Sequence, residues 1–377
     1  MKPFFSIIIP CYNVEPFIKE CFQSILNQSF QDWECLAIVE TSRDETEQIV
    51  RSFAEKDQRI MVFTQPKSGS PSAPRNKGLD HAEGKYVLFL DGDDYITENS
   101  LERIAAKISA HPEADLYPCS IIVYDTKNGK ETIWDNYPEN TPTEMTGQEA
   151  IVKFLRYHSY PCPMAQLTIC RRAFLNDNGL RFVYGLKHED NEFSPRALQL
   201  AKRVVPLHEP FYYYRFVPDS ITNSKQQPGY ELKHIARVKR NLMAFHAEVS
   251  KKPGFDPRIS EYWANLWLSK IFGRWFYPWV IDHTPRRIRI GTLRFMLANE
   301  TDSFLLLTRS APCTKRIMSR MLLLAVRHPS SCVWFSESVF RIFFFLSEIK
   351  NKFKKKSEES VFTNTSSAPS QSAATKP

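Results

Sequence analysis

The chain is poor in the features that most readily announce a site. Its eight cysteines, at positions 11, 21, 35, 119, 162, 170, 313 and 332, form no CxxC pair and no His/Cys cluster at zinc-ligand spacing. A disulfide framework and a structural zinc are thereby excluded as organising devices, and a reducing, cytosolic setting is expected. No GxxxxGK[ST] loop occurs, and no GxGxxG follows the first apolar segment, so the usual phosphate cradles are missing. Any phosphate must be held by side chains or a metal. The opening "MKPFFSIIIPCYN" has an apolar run too short for a signal-peptide core and is interrupted by Pro10, so it reads as a strand. There is no internal repeat. No nucleic-acid-binding motif accompanies the net charge of +8, so no nucleic-acid partner is expected.

What the chain does contain is a core. At 377 residues and 42% hydrophobic composition it is long and apolar enough for one large core or two domains. The charge is unevenly spread. Residues 285–356 hold 15 Lys/Arg against 4 Asp/Glu, which leaves the rest of the chain slightly negative. Such a basic end suits an anionic surface, or is simply a solvated helical face.

The first hundred residues alternate strands and helices. "FFSIIIP", "WECLAIV", "RIMVF" and "KYVLFL" are strand segments. Between them, "PFIKECFQSILNQ" sets Phe17, Ile18, Cys21, Phe22, Ile25 and Leu26 on one helical face, and "DETEQIVRSFAEK" carries Ile49, Val50 and Phe53. Ser72 is expected to cap a third helix, with Pro74 in its first turn, running to about His81. The βαβαβαβ order predicts a mostly parallel sheet covered by helices, with ligands beyond the carboxyl ends of the strands. Further on, "ADLYPCSIIVYD" reads as another strand and "TGQEAIVKFLRYH" as a helix capped at Thr146. Past about residue 228 the chain reads as helical and aromatic. Residues 357–377 are low in complexity and expected to be disordered.

The chemistry-bearing stretch is "KYVLFLDGDDYI", where a strand runs straight into Asp91, Asp93 and Asp94. Carboxylates at i and i+2 after a strand can converge on one divalent ion, and an oxygen-rich site suits Mg2+ or Mn2+ shared with phosphate oxygens. Gly92 would let backbone approach a ligand. The same four residues also fit a solvated turn.

Five stretches in order, "SIIIPCYNVEPFIKECFQSILNQSF", "LAIVETSRDET", "SGSPSAPRNKGL", "GKYVLFLDGDDYI" and "GLKHEDNEF", resemble the family 2 glycosyltransferases over residues 4–225. The resemblance implies an α/β, Rossmann-like, mostly parallel sheet flanked by helices (the A-type glycosyltransferase fold), followed by a helical C-terminal region. It divides the chain into a catalytic domain at 1–227, a helical, aromatic and basic region at 228–356, and the tail. Within the catalytic domain, 1–115 would form the nucleotide-sugar-binding half and 116–227 the acceptor and catalytic-base half. It also implies an inverting, metal-dependent transfer of one sugar from a nucleotide-diphospho-sugar, UDP-sugar by default, to a glycan or lipid-linked oligosaccharide acceptor in surface polysaccharide or lipopolysaccharide synthesis.

Residue by residue, Pro10 and Tyr12 match the family's base-holding strand end, Glu40 stands in the place of its base-contacting Asp, and Arg75 matches a nucleotide-holding Arg. Asp91 and Asp93 match the D-x-D pair for ribose and metal. Asp190 matches the catalytic base, with Glu189 orienting it or the acceptor. The family's usual "VDDGSTD" is "VETSRDE" here, so the base-binding end departs from the pattern.

A D-x-D phosphatase and a non-catalytic nucleotide-sugar-binding member are the competing readings. "IFGRW" has Ile271 where the processive members' Q-x-x-R-W has Gln, which favours single-sugar addition. Trp263 and Trp267 lie one helical turn apart and could stack on a sugar, or form a buried stripe. "SVFRIFFFLSEIKNKFKKK" sets phenylalanines beside lysines, while Glu337, Arg341 and Glu348 argue against a membrane span. Residues 337–356 are therefore expected to lie on the inner leaflet, giving a cytoplasmic protein peripheral to the membrane, or to form a core helix with a basic end.

Overall fold

The computed structural model describes residues 2–126, 129–135, 141–157, 164–216 and 228–259. The chain divides into two compact units, Met1–Leu266 and Trp267–Pro377. The second unit lies outside the described residues, as do Trp263, the "IFGRW" segment, the 337–356 stretch and the tail.

Strands β1 (Phe5–Cys11), β2 (Trp33–Glu40), β3 (Ile60–Gln65) and β4 (Tyr86–Phe89) alternate with helices α1 (Glu15–Leu26), α2 (Thr46–Ala54) and α3 (Ser72–His81). This is the order read from the sequence. β1 pairs in parallel with both β2 and β4, and β2 with β3. β2 is buried along its whole length, as a strand covered on both faces by helices must be. In α1 the buried residues are Ile18, Cys21, Phe22 and Ile25, the helical stripe expected.

The start of α3 differs from expectation. Pro71 stands at the cap position, and Ser72, instead of capping, donates its hydroxyl to the carbonyl of Val183 at 2.8 Å. Val183 lies in the segment that leads to the acidic "HED" motif, so this bond spends a capping group on a tertiary tie.

The apolar segment expected as one strand is two. β6 (Leu116–Pro118) and β7 (Ser120–Asp125) belong to different sheets. The first sheet runs β3-β2-β1-β4-β9-β6, with β9 (Thr168–Arg171) antiparallel to both β4 and β6. The second runs β5-β10-β7-β8, built from β5 (Tyr95–Ile96), β10 (Pro210–Phe216), β7 and β8 (Lys130–Trp134). The loop Leu90–Asp94 thus carries the chain from one sheet into the other.

Four further helices complete the described part: α4 (Ser100–Ala110), α5 (Gly147–Tyr157), α6 (Arg172–Asp177) and α7 (Asp190–Leu200), before the long α8 (Pro228–Val249). Thr146 does cap α5: its Oγ1 accepts from the Glu149 N–H at 3.2 Å, while the Glu149 carboxylate accepts from the Thr146 N–H at 2.8 Å. This reciprocal pair is a capping box. α7 packs against α5 and α8.

The core is built on the first sheet. Phe5, Ile7, Ile9, Cys35, Ala37, Tyr86 and Leu88 are buried beside α1 residues Cys21 and Phe22. Cys11, Cys21, Cys35, Cys119 and Cys170 are buried free thiols, in keeping with the absence of a disulfide pattern. Among the described residues, no helix is long and apolar enough to cross a membrane.

Candidate active site

The strand order makes β1 and β4 neighbours although two βα units separate them in sequence. Their carboxyl ends form the topological switch point where a parallel α/β sheet leaves a crevice. Tyr12 follows β1, and Asp91 follows β4.

The acidic loop closes as a turn, with the Asp94 N–H donating to the Asp91 carbonyl at 3.0 Å. One carboxylate oxygen each from Asp91, Asp93 and Asp94 lie within 4.8 Å of one another. The three are not equivalent. Asp94 is buried and accepts from the Tyr212 hydroxyl at 2.6 Å and from the Arg215 N–H at 2.8 Å, so its oxygens tie the loop to β10. Burial, then the charges of Asp93 and Asp91, push its pKa well above the ordinary value. Asp93 is pushed up to about 6 by burial and by the charge of Asp91. Such crowding of acids is relieved by a bound cation, and the all-oxygen donor set fits a hard divalent ion.

Gly92 packs closely against its neighbours. A Cβ there would lie 3.1 Å from Ile18 Cδ1 and Val14 Cγ2, and 3.2 Å from the Pro10 carbonyl oxygen. These neighbours belong to α1, to the residue before it and to the end of β1, and a larger residue at 92 would press on them.

Arg75 lies on α3 with only 1% of its surface exposed. Its Nη2 donates to Asp91 Oδ1 at 2.7 Å and its Nη1 to Glu189 Oε1 at 2.5 Å. Gly78, three residues on and on the same face, lets α3 sink onto β1: a Cβ there would stand 2.4 Å from Ile8 Cγ2. Burial opposes the Arg75 charge, but Asp91 and Glu189 outweigh it and raise the guanidinium pKa. The residue matched to nucleotide holding is therefore engaged by two carboxylates.

Glu189 precedes α7 and is pushed up to about 7 by burial, against the pull of Arg75 and with the charge of Asp190 adding to the rise. Asp190 opens α7, and its Oδ1 accepts from the Asn191 N–H and side-chain amide, both at 2.7 Å. His188, just before, takes φ of +60°, a conformation rare for a residue with a side chain.

At the other end, Glu40 terminates β2 and is buried. Its Oε1 accepts from Gln65 Nε2 at 3.0 Å, from the Ser68 N–H at 3.0 Å and from Ser68 Oγ at 2.5 Å. The carboxylate holds the loop after β3. From that loop Lys67 donates to the Tyr12 hydroxyl at 2.5 Å and lies 4.4 Å from its ring centre. Pro10 sits at the end of β1, half-buried.

The structure thus brings Arg75, Asp91, Asp93, Glu189 and Asp190 into one cluster, with Glu40 and Tyr12 on a second, linked by the 66–70 loop. Sequence reasoning missed Lys67, Gln166, Tyr212 and Arg215. None lies in a motif; Gln166, Tyr212 and Arg215 are brought in by the pairing of their strands, and Lys67 by the loop that Glu40 holds.

With this geometry in view, comparisons identify the family. The model of glycosyl transferase family 2 matches residues 6–179. The uncharacterized glycosyltransferase EpsJ of Bacillus subtilis (strain 168) is 32% identical over 252 residues, covering 65% of this chain and 70% of EpsJ. The chain belongs to glycosyl transferase family 2.

Other relatives of this family 2 glycosyltransferase are longer. The poly(ribitol-phosphate) beta-N-acetylglucosaminyltransferase TarS of Staphylococcus aureus is 33% identical over 213 residues, 56% of this chain but only 35% of TarS. The crystal structure of S. aureus TarS 1–349 in complex with UDP superposes with a TM-score of 0.62 at 25% identity, covering 87% of this chain and 92% of that one. The mixed sheet flanked by helices is the architecture of such neighbours. Membership of a glycosyltransferase family removes the D-x-D phosphatase reading.

Proposed function

We propose that this family 2 enzyme transfers one sugar, with inversion, from a UDP-sugar to a hydroxyl of a cell-surface polymer or its lipid-linked precursor. The observation that carries the reading is the buried Arg75 bridge, because it joins Asp91, at the switch point, to Glu189, beside Asp190. Two halves of a transfer site then share one rigid cation. UDP as the donor nucleotide is supported by the TarS complex, and a surface-polymer acceptor by the naming of TarS and of the minor teichoic acid biosynthesis protein GgaB of B. subtilis, which is 27% identical over 222 residues.

In this reading Pro10 and Tyr12 line the base end, where Glu40 holds the loop that closes it. Asp93 and Asp91 are the residues that would hold Mg2+ or Mn2+. Bound there, the ion would offset the charge that builds on the leaving diphosphate. Asp190, at a helix N-terminus where the dipole favours an anion, accepts the proton of the attacking hydroxyl. Glu189 fixes that end of the site through Arg75. A single displacement with Asp190 as base inverts the anomeric carbon.

The test is Asp190→Asn. Transfer should fall by about 10²–10⁴-fold, the usual contribution of a general base, while UDP affinity stays at the wild-type value. Transfer within a few fold of wild type would remove Asp190 from the role. The anomeric configuration of the product, read by NMR, checks inversion separately.

A further inference from the structure

We propose that Gln166 is a positioning residue of the donor site, whose neutral side-chain amide fixes the Asp91 carboxylate without cancelling its charge; the inference rests on the donor-site reading above.

Gln166 lies in a short 3-10 turn, Ala165–Leu167, that leads into β9. β9 runs antiparallel to β4, with Tyr86 opposite Arg171 and Val87 opposite Cys170. Continued along both chains, that register brings 166 opposite 91. The side chains do meet: Gln166 Nε2 donates to Asp91 Oδ2, while Arg75 Nη2 holds Oδ1. Each carboxylate oxygen has two lone-pair directions, so the bracket consumes one on each and leaves one on each for a ligand. The side chain of Asp91 remains 26% exposed, enough for that contact.

The other end of the amide shows what it is there for. Gln166 is 7% exposed, and its Oε1 is buried with no hydrogen-bond partner among the described residues. Burying an amide oxygen without a donor is unfavourable, and an apolar side chain at this position would avoid the cost. The bond to Asp91 is the interaction that offsets this cost. Its neutrality is chemically selective. Arg75 already supplies one buried cation, and Arg215 acts on Asp93 from β10. A third positive charge at 166 would hold Asp91 equally well but would oppose a divalent cation at Asp93. An amide orients the carboxylate and leaves the site negative.

The test uses the full chain with UDP and Mn2+ as probes, comparing wild type, Gln166→Met, Gln166→Glu and Asp93→Ala. Gln166→Met keeps length and volume but removes the donor; Gln166→Glu replaces the donor by an acceptor that repels Asp91. Loss of a hydrogen bond to a charged group is expected to raise the Mn2+-dependent Kd for UDP, by calorimetry, about tenfold in Gln166→Met. Gln166→Glu should raise it further. The KM for the nucleotide-sugar should follow Kd, with kcat changing less. If both Gln166 variants bind UDP with Mn2+ as wild type does while Asp93→Ala does not, this inference is overturned and the donor site stands. If Asp93→Ala also binds as wild type, the donor-site reading fails and this inference with it. Should Gln166→Met fold poorly, Gln166→Glu decides the matter: a lowered melting temperature with wild-type Kd marks Gln166 as a packing residue only, against the proposal.

Discussion

Arg75 and Glu189, 114 positions apart, meet at 2.5 Å with side-chain exposures of 2% and 8%. The same guanidinium reaches Asp91 at 2.7 Å. Two stretches that look independent in the sequence, "PRNKGL" and "HED", are thereby one object, with the acidic loop as its third part. A buried cation between two carboxylates contributes more to geometry than to net stability, because desolvation offsets most of the attraction. Removing it leaves both anions buried and unbalanced.

Arg75→Ala should therefore destabilise the fold by about 3–5 kcal/mol, the usual cost of breaking a buried pair from one side. At roughly 2–4 °C per kcal/mol for a domain of this size, thermal unfolding should shift down by about ten degrees. Arg75→Lys should recover part of the stability but little of the transfer activity, since a lysine cannot span both carboxylates in fixed geometry.

Stability should depend on pH with a sign set by the two raised acids. Glu189 moves from 4.5 to about 7 and Asp93 from 3.8 to about 6 on folding. Each favours the folded state fully below its unfolded value, and that contribution is lost as pH rises through 6 and 7. In metal-free buffer, Glu189→Gln should gain melting temperature relative to wild type between pH 5 and 7.5. A flat difference across that range would exclude the raised value.

Mn2+ binding in the presence of UDP should run the other way. A ligand carboxylate must lose its proton to coordinate, so affinity should be about tenfold weaker at pH 5 than at pH 7.5 if Asp93 titrates near 6. Calorimetry at the two pH values measures this, and Asp93→Asn should abolish both the binding and its pH dependence.

Glu40→Ala should free the loop after β3. Three donors from Gln65 and Ser68 lose their acceptor together, and the Ser68 N–H loses protection. Hydrogen exchange at residues 66–70 should accelerate and UDP affinity should fall, with little change at α7. Unchanged exchange there would show that the loop is held by other contacts.

The doubly wound half was legible because each of its elements carries its own signal: a buried stripe at helical spacing in α1, continuous apolar runs in the strands, acids where a strand ends. The "HED" motif was legible only through resemblance, since nothing local distinguishes it from an ordinary helix start. Gln166 and Tyr212 were illegible in principle. Their roles come from register and sheet membership, and the latter was misread where one apolar segment splits at Cys119 into strands of two sheets. Ser72 was misread for a related reason: a capping residue type was drawn off by a tertiary acceptor. The packing of Gly92 against Ile18, Val14 and the Pro10 carbonyl depends on how the acidic loop folds back beside α1, which no local pattern reveals.

The antiparallel pairing of β4 with β9 separates the dimensions of the site from the length of chain between its parts. Asp91 and Gln166 stand 75 positions apart, yet the two rungs that pair Tyr86 with Arg171 and Val87 with Cys170 set the register that brings them together. A slip of one rung would set Ala165 or Leu167 against the carboxylate. Between them, Asp93 and Asp94 belong to the acidic cluster and β6 to the first sheet, whereas β8 is an exposed edge strand of the second sheet, and changes of length or composition there would leave the Asp91–Gln166 spacing unaltered.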